Sequence, residues 1–88
     1  MSCARFIVRG KVQGVFFRAS TREQALKLKL TGHAKNLPDG GVDVLVSGDT
    51  AAIDALERWL KKGPQLATVE SVTREDLPAQ TRSGFQIA

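Results

Sequence analysis

The chain has 88 residues, 42% hydrophobic and 25% charged, with 13 Lys and Arg against 9 Asp and Glu for a formal charge of +4. That length excludes two independent cores, that composition excludes a disordered chain, and a single cysteine, Cys3, excludes an internal disulfide. The mild basic excess favours anionic partners, but the basic residues are scattered and form no charged tail. The N-terminal stretch MSCARFIVRG has no apolar run ending in a small-residue cleavage site, and no segment nears the ~20 apolar residues of a membrane span. The expectation is one folded domain over residues 1–88, cytoplasmic and reduced, with monomer as the default for so small a unit. Cys3 reads as a small buried hydrophobe.

Residues Ala4 to Val8 alternate, with Ala4, Phe6 and Val8 on one side and Arg5, Ile7 and Arg9 on the other, which predicts a strand. Gly10 to Arg18 reads as a loop. Helix formers run from Ser20 or Thr21 to Leu30, with Thr21 and Glu23 marking the start, Ala25, Leu26, Leu28 and Leu30 as the apolar side, and Gly32 as the stop. The turn residues Pro38-Asp39-Gly40-Gly41 then predict a hairpin pairing Gly32–Leu37 with Val42–Ser47. The next segment is a helix capped by Asp49 or Thr50. Ile53, Leu56, Trp59 and Leu60 lie on one face, Asp54–Arg58 and Glu57–Lys61 form i,i+4 pairs, and Gly63-Pro64 ends it. Val69 to Asp76 is a strand, and Ser83 to Ala88 a short strand or tail. The order β-α-β-β-α-β predicts a ferredoxin-like α/β sandwich (α+β), an antiparallel sheet with two helices on one face.

One stretch invites chemistry. GKVQGVFFR, Gly10 to Arg18, combines permissive glycines, an apolar pair and one arginine just before a helix. Glycines let successive amides converge on an anion, a helix start supplies free N–H groups and the positive end of a dipole, and a guanidinium grips phosphate in a planar fork. Phe16 and Phe17 would exclude water there. The plain alternative is a strand-to-helix turn with Arg18 in solvent and both Phe in the core, and spacing alone leaves the two readings open. The stretch is neither a Walker loop nor a dinucleotide fingerprint. Asn36, beside the hairpin turn, either holds a water through its amide or bonds its own backbone. His33, the only histidine, reads as a half-exposed strand residue, with catalysis left open, and one His and one Cys do not suggest a zinc site.

GKVQGVFFR and GHAKNLPDG (Gly32 to Gly40) resemble the two signature stretches of the acylphosphatases. The resemblance extends over nearly the whole chain, including Gly63-Pro64 and Ser83 to Phe85. It implies a ferredoxin-like fold and hydrolysis of the carboxyl–phosphate bond of acyl phosphates, with no cofactor and no metal. It further implies that Arg18 binds the phosphate and Asn36 positions the attacking water. Gln13, Gly14, Val15, Phe16, Phe17 and Arg18 would form the backbone cradle. The chain departs from the family pattern at His33, where an aromatic is usual, and at Ala34 and Lys35, where Val and Arg are common. It also ends Gln86-Ile87-Ala88, where many members carry a basic or aromatic residue.

Such a spare set of groups suits an acyl phosphate. The leaving carboxylate has a conjugate acid of pKa near ~4 and needs no general acid. Phosphoryl transfer then rests on positioning and electrostatics. Two other classes compete. A phosphate-binding regulatory domain would need Arg18 but not Asn36. An RNA-binding module shares the element order, but Val42 to Ser47, the natural third strand, carries no aromatic on which a base could stack. The expected partner is therefore a small acyl phosphate, with phosphate as product, and neither nucleic acid nor membrane.

Overall fold

The computed structural model describes residues 1–79 and 83–88. The elements are β1 (Ser2–Lys11), α1 (Phe17–Lys27), β2 (Thr31–Asn36), β3 (Val42–Gly48), α2 (Thr50–Lys62), β4 (Thr68–Leu77) and β5 (Phe85–Ile87). They form one sheet in the order β4-β1-β3-β2-β5. Each helix crosses over a neighbouring strand: β1 and β2 flank β3, and β3 and β4 flank β1. This is the ferredoxin-like α+β arrangement. The sheet is mixed rather than antiparallel throughout, because β5 pairs with β2 in parallel. A strand of three residues carries too little pattern to reveal its direction.

Alternation sorts the strands into two faces. Phe6 lies opposite Val44 on β3, and Val44 lies opposite Ala34 on β2, so one row of the buried face crosses three strands. Ala4, Phe6, Val8, Val42, Val44 and Val46 are all fully buried. Against them α2 sets Ile53, Leu56 and Leu60, fully buried at helical spacing. Burial of each such side chain contributes about 1.5–3 kcal/mol. Phe17, Thr21 and Ala25 are the buried stripe of α1, and Phe17 packs on Trp59 of α2 with ring centroids 5.9 Å apart.

The helix assignments shift in instructive ways. α1 begins at Phe17, earlier than Thr21 and Glu23 suggest, because Phe17 stands one turn before Thr21 on the core side. Phe16 is its N-cap position and is 77% exposed, so it plugs nothing, whereas Phe17 is buried. Leu26 is also largely exposed. Gly32 does not stop this helix. It sits inside β2 at φ +146, where a Cβ would lie 1.7 Å from the Leu45 carbonyl oxygen. On α2, Asp49 occupies the N-cap without a side-chain hydrogen bond. Asp54 contacts Arg74 of β4 at 2.8 Å and not Arg58, while Glu57 faces Lys61 as expected, at 3.8 Å.

The face without helices is held by charge. Asp43 is buried there on β3, with Arg5 Nε at 3.1 Å and His33 Nε2 at 3.2 Å from its two oxygens. The Arg5 contact is Coulombic, since its angles fall outside hydrogen-bonding geometry.

Candidate active site

The loop between β1 and α1 owes its shape to three apolar anchors. Val12, Val15 and Phe17 are buried in the core. The backbone between them bulges outward. Gly14 at φ +73 and Phe16 at φ +59 are both left-handed, alternating with their neighbours. Such alternation turns successive N–H groups toward one point and makes an anion-sized nest. Glycine takes this conformation at no steric cost, but a phenylalanine there costs about 1–3 kcal/mol.

The nest leads straight into α1. The first helical bond runs from Ser20 N to Phe16 O at 3.0 Å. The amides of Phe17, Arg18 and Ala19 therefore precede any intrahelical acceptor. No acidic residue stands in the first turn, and no side chain caps it. The positive end of the helix is left uncompensated, as an anion site requires.

A cavity of about 270 Å³ opens in front of this start, lined by Gly14, Arg18 and Asn36 together with the apolar Val12, Phe16 and Ile87. Arg18 is thus on the first turn of the helix rather than in the loop, and it shares one cavity with Asn36 of β2. The two are linked by a single oxygen. Arg18 Nη1 donates to the Ala88 main-chain oxygen at 2.8 Å, and the Asn36 main-chain N–H donates to the same atom at 3.1 Å. The Arg18 bond fixes one edge of the guanidinium, and Arg18 lines the cavity.

Asn36 has an unmet need. Its Oδ1 is buried without a hydrogen-bond partner among the described residues. An unsatisfied buried carbonyl of this kind costs about 1–3 kcal/mol. Gln13, expected to contribute only its backbone, uses its side chain as well. Its Nε2 donates to Leu37 O at 2.8 Å and to Gly41 O at 2.9 Å, clamping the nest onto the hairpin that carries Asn36. The turn itself is tied by Asp39, which accepts from Gly41 N at 3.0 Å and from Arg9 Nη1 at 2.5 Å. The Gly41 N–H first, and Arg9 second, hold the Asp39 carboxyl below its ordinary pKa.

His33 does not reach the site. It alternates with Ala34 and Asn36 on β2 and points to the helix-free face, toward Asp43. Among the described residues no group of three or more His, Cys, Asp or Glu side chains is placed to hold a metal ion. The sequence reading missed the Gln13 side chain, the Ala88 oxygen and Ile87. All three depend on partners more than 20 positions away, and no local pattern marks them.

An acylphosphatase family model matches residues 4–87. The chain is 60% identical over 74 residues to an acylphosphatase of Xanthomonas oryzae pv. oryzae, covering 84% of each. It is 53% identical over 87 residues to an acylphosphatase of Vibrio parahaemolyticus, covering 99% of this chain and 97% of that one. Among solved structures, an acylphosphatase from Coxiella burnetii matches with a TM-score of 0.95 at 41% identity, covering 99% of this chain and 92% of the other. The match takes in the nest, Arg18 and the strand bearing Asn36, and the chain belongs to the acylphosphatase family.

Proposed function

We infer that this protein hydrolyses acyl phosphates to a carboxylate and inorganic phosphate, with Arg18 and Asn36 as the catalytic residues. The observation that carries the assignment is the meeting, in one cavity, of an uncapped helix start, Arg18 and Asn36. The amides from Gln13 to Arg18 and the Arg18 fork receive the phosphoryl oxygens. Fixed donors stabilise the charge that spreads over those oxygens in a loose transition state, and they need no reorganisation at the moment of reaction.

The Asn36 side-chain amide, at the cavity wall, hydrogen-bonds the incoming water and aims its oxygen at phosphorus. The new P–O bond forms as the bond from phosphorus to the acyl oxygen breaks. The acyl group leaves as a carboxylate, stable without protonation at neutral pH. An amide is no base at that pH, so the water's proton passes to a phosphoryl oxygen. Metal and cofactor take no part in this scheme. The whole chain acts as one acylphosphatase unit, a cytoplasmic monomer whose partner is the small substrate and not a nucleic acid. No helix among the described residues is long and apolar enough to cross a membrane.

The test is hydrolysis of acetyl phosphate by wild type beside Arg18→Ala and Asn36→Ala. Turnover by wild type and its loss in both variants supports the assignment. An inert wild type that inorganic phosphate still protects from unfolding, dependent on Arg18, would make the protein a phosphate binder instead.

A further inference from the structure

A second hollow adjoins the cavity on the outside of α1. It has about 300 Å³ and is lined by Ala19, Arg22, Glu23 and Leu26. Ala19 lines both, so the two are contiguous across the start of the helix. The divide between them carries only the methyl group of that alanine. A ligand held in the first by its phosphoryl group can extend over Ala19 into the second.

Charge is unevenly shared along that path. Arg22 follows Arg18 by one helical turn, a spacing that sets Cβ atoms about 5–6 Å apart. Side chains on a helix lean toward its N-terminus, which inclines Arg22 back toward Ala19 and the cavity. Arg22 is exposed and has no charged partner among the described residues. Folding alone gives no reason for it, because like charges four apart repel and the N-terminal half of a helix disfavours cations. Glu23, the one acid of the second hollow, faces Lys27 at 3.5 Å, and no carboxylate lines the cavity. The path thus ends on an unpaired guanidinium, whose planar fork suits a carboxylate or phosphate.

We propose that Arg22 is a specificity-determining residue that binds a second anionic group, carried on the acyl part of the substrate. It would favour acyl phosphates with a distal carboxylate over those with a neutral acyl group. The proposal rests on the acylphosphatase reading of the cavity and goes beyond it. Arg18 takes the phosphoryl group common to all substrates, whereas Arg22 takes a group that only some carry. The contact lies away from the reacting atoms and is made equally in the ground and transition states, so it acts through KM rather than kcat. Because Arg22 is exposed, salt screens it.

The experiment measures kcat/KM for 4-carboxybenzoyl phosphate and for benzoyl phosphate with wild type, Arg22→Gln and Arg22→Glu. The first substrate also has a slightly better leaving group, an advantage that is the same in every variant. Arg22 also attracts phosphate in general, an effect that is the same for both substrates. The change in the ratio of the two kcat/KM values between variants is free of both. From wild type to Arg22→Gln the ratio is expected to fall about two- to fivefold, the scale of an exposed ion pair, through the KM of the carboxylated substrate. Arg22→Glu should lower it further, and about 1 M salt should narrow the gap between wild type and Arg22→Gln. The inference is overturned if the ratio is the same in all three proteins, as it would be were Arg22 only a general attractor of phosphate. It is overturned equally if the ratio falls through kcat with KM unchanged. Failure of wild type on benzoyl phosphate reads out separately: it overturns the function itself, and the role of Arg22 with it.

Discussion

Gln13 and Leu37 are joined by a hydrogen bond of 2.8 Å that crosses from the loop between β1 and α1 to the hairpin, one residue beyond Asn36. The second proton of the same amide goes to Gly41 O at 2.9 Å. One side chain therefore sets the spacing between the group that would bind phosphate and the group that would aim the water. Gln13→Ala removes both bonds, while Leu37 O keeps the Gly40 N–H and Gly41 O keeps the Leu37 N–H. It should destabilise the protein by about 1–3 kcal/mol in urea unfolding and lower kcat by about tenfold or more. An unchanged kcat would mean that the nest and Asn36 keep their spacing without the clamp.

Arg18 and Asn36 should fail differently. Arg18→Lys keeps the charge but loses the planar fork, and it is expected to raise the inhibition constant for inorganic phosphate and to cost about 10²-fold in kcat/KM. Asn36→Ala should leave phosphate inhibition within about threefold of wild type and cut kcat by about 10²-fold or more. Phosphate inhibition lost along with turnover in Asn36→Ala would make Asn36 a phosphate ligand rather than a positioner of water.

Arg74 tests the fold away from the site. It sits on the edge strand β4, points inward over the Phe6 ring at 5.7 Å, and meets Asp54, Glu57 and Asp76, each at 2.8 Å. Asp54 and then Glu57 raise its pKa further above an already high value, so it stays charged. The network is only partly buried, so its worth falls between that of an exposed pair and a buried one. Arg74→Leu should cost about 1–3 kcal/mol, less in 1 M salt, with acyl phosphate hydrolysis unchanged. An inward charge on an edge strand also discourages pairing with a second chain, and gel filtration of the variant would show any association.

Asp39 gives the hairpin a pH signature. Its folded pKa lies below the ordinary value of 3.8 because Gly41 N–H and Arg9 favour the carboxylate. Folding is thus favoured by the ionised form. That stabilisation is complete well above pH 3.8 and is lost as pH falls through the folded pKa. The gap in urea midpoint between wild type and Asp39→Asn should stay constant near neutral pH and shrink in acid. A gap that persists to the lowest pH would assign the effect to shape rather than charge.

Much of this was legible in the chain. The β-α-β-β-α-β order follows from alternation at Ala4–Val8 and Val42–Val46 and from helical spacing at Ile53, Leu56 and Leu60, because each pattern matches one period of local structure. The glycines and Arg18 raised the expectation of an anion site because their chemistry is local, but spacing alone did not separate that from a plain strand-to-helix turn. What stayed hidden was non-local. Gly32 looks like a helix stop in sequence, but what requires a glycine there is the Leu45 carbonyl on the neighbouring strand. Phe16 and Phe17 look alike, yet only the second lies on the buried stripe of the helix, and that stripe is fixed by where the helix begins. Asp54 matches Arg58 in spacing, but tertiary packing offers it Arg74.

The short parallel strand β5 has a consequence out of proportion to its length. Arg18 and Asn36 both rest on the oxygen of Ala88, at the end of a strand of three residues on the sheet's outer edge. Edge segments with few pairings are the first to fray. When β5 lifts off, the guanidinium loses its tether and the Asn36 main-chain N–H its acceptor in the same event. Amide exchange at Asn36 should therefore keep time with Ala88 rather than with the core of β2, and a bound anion should slow both together.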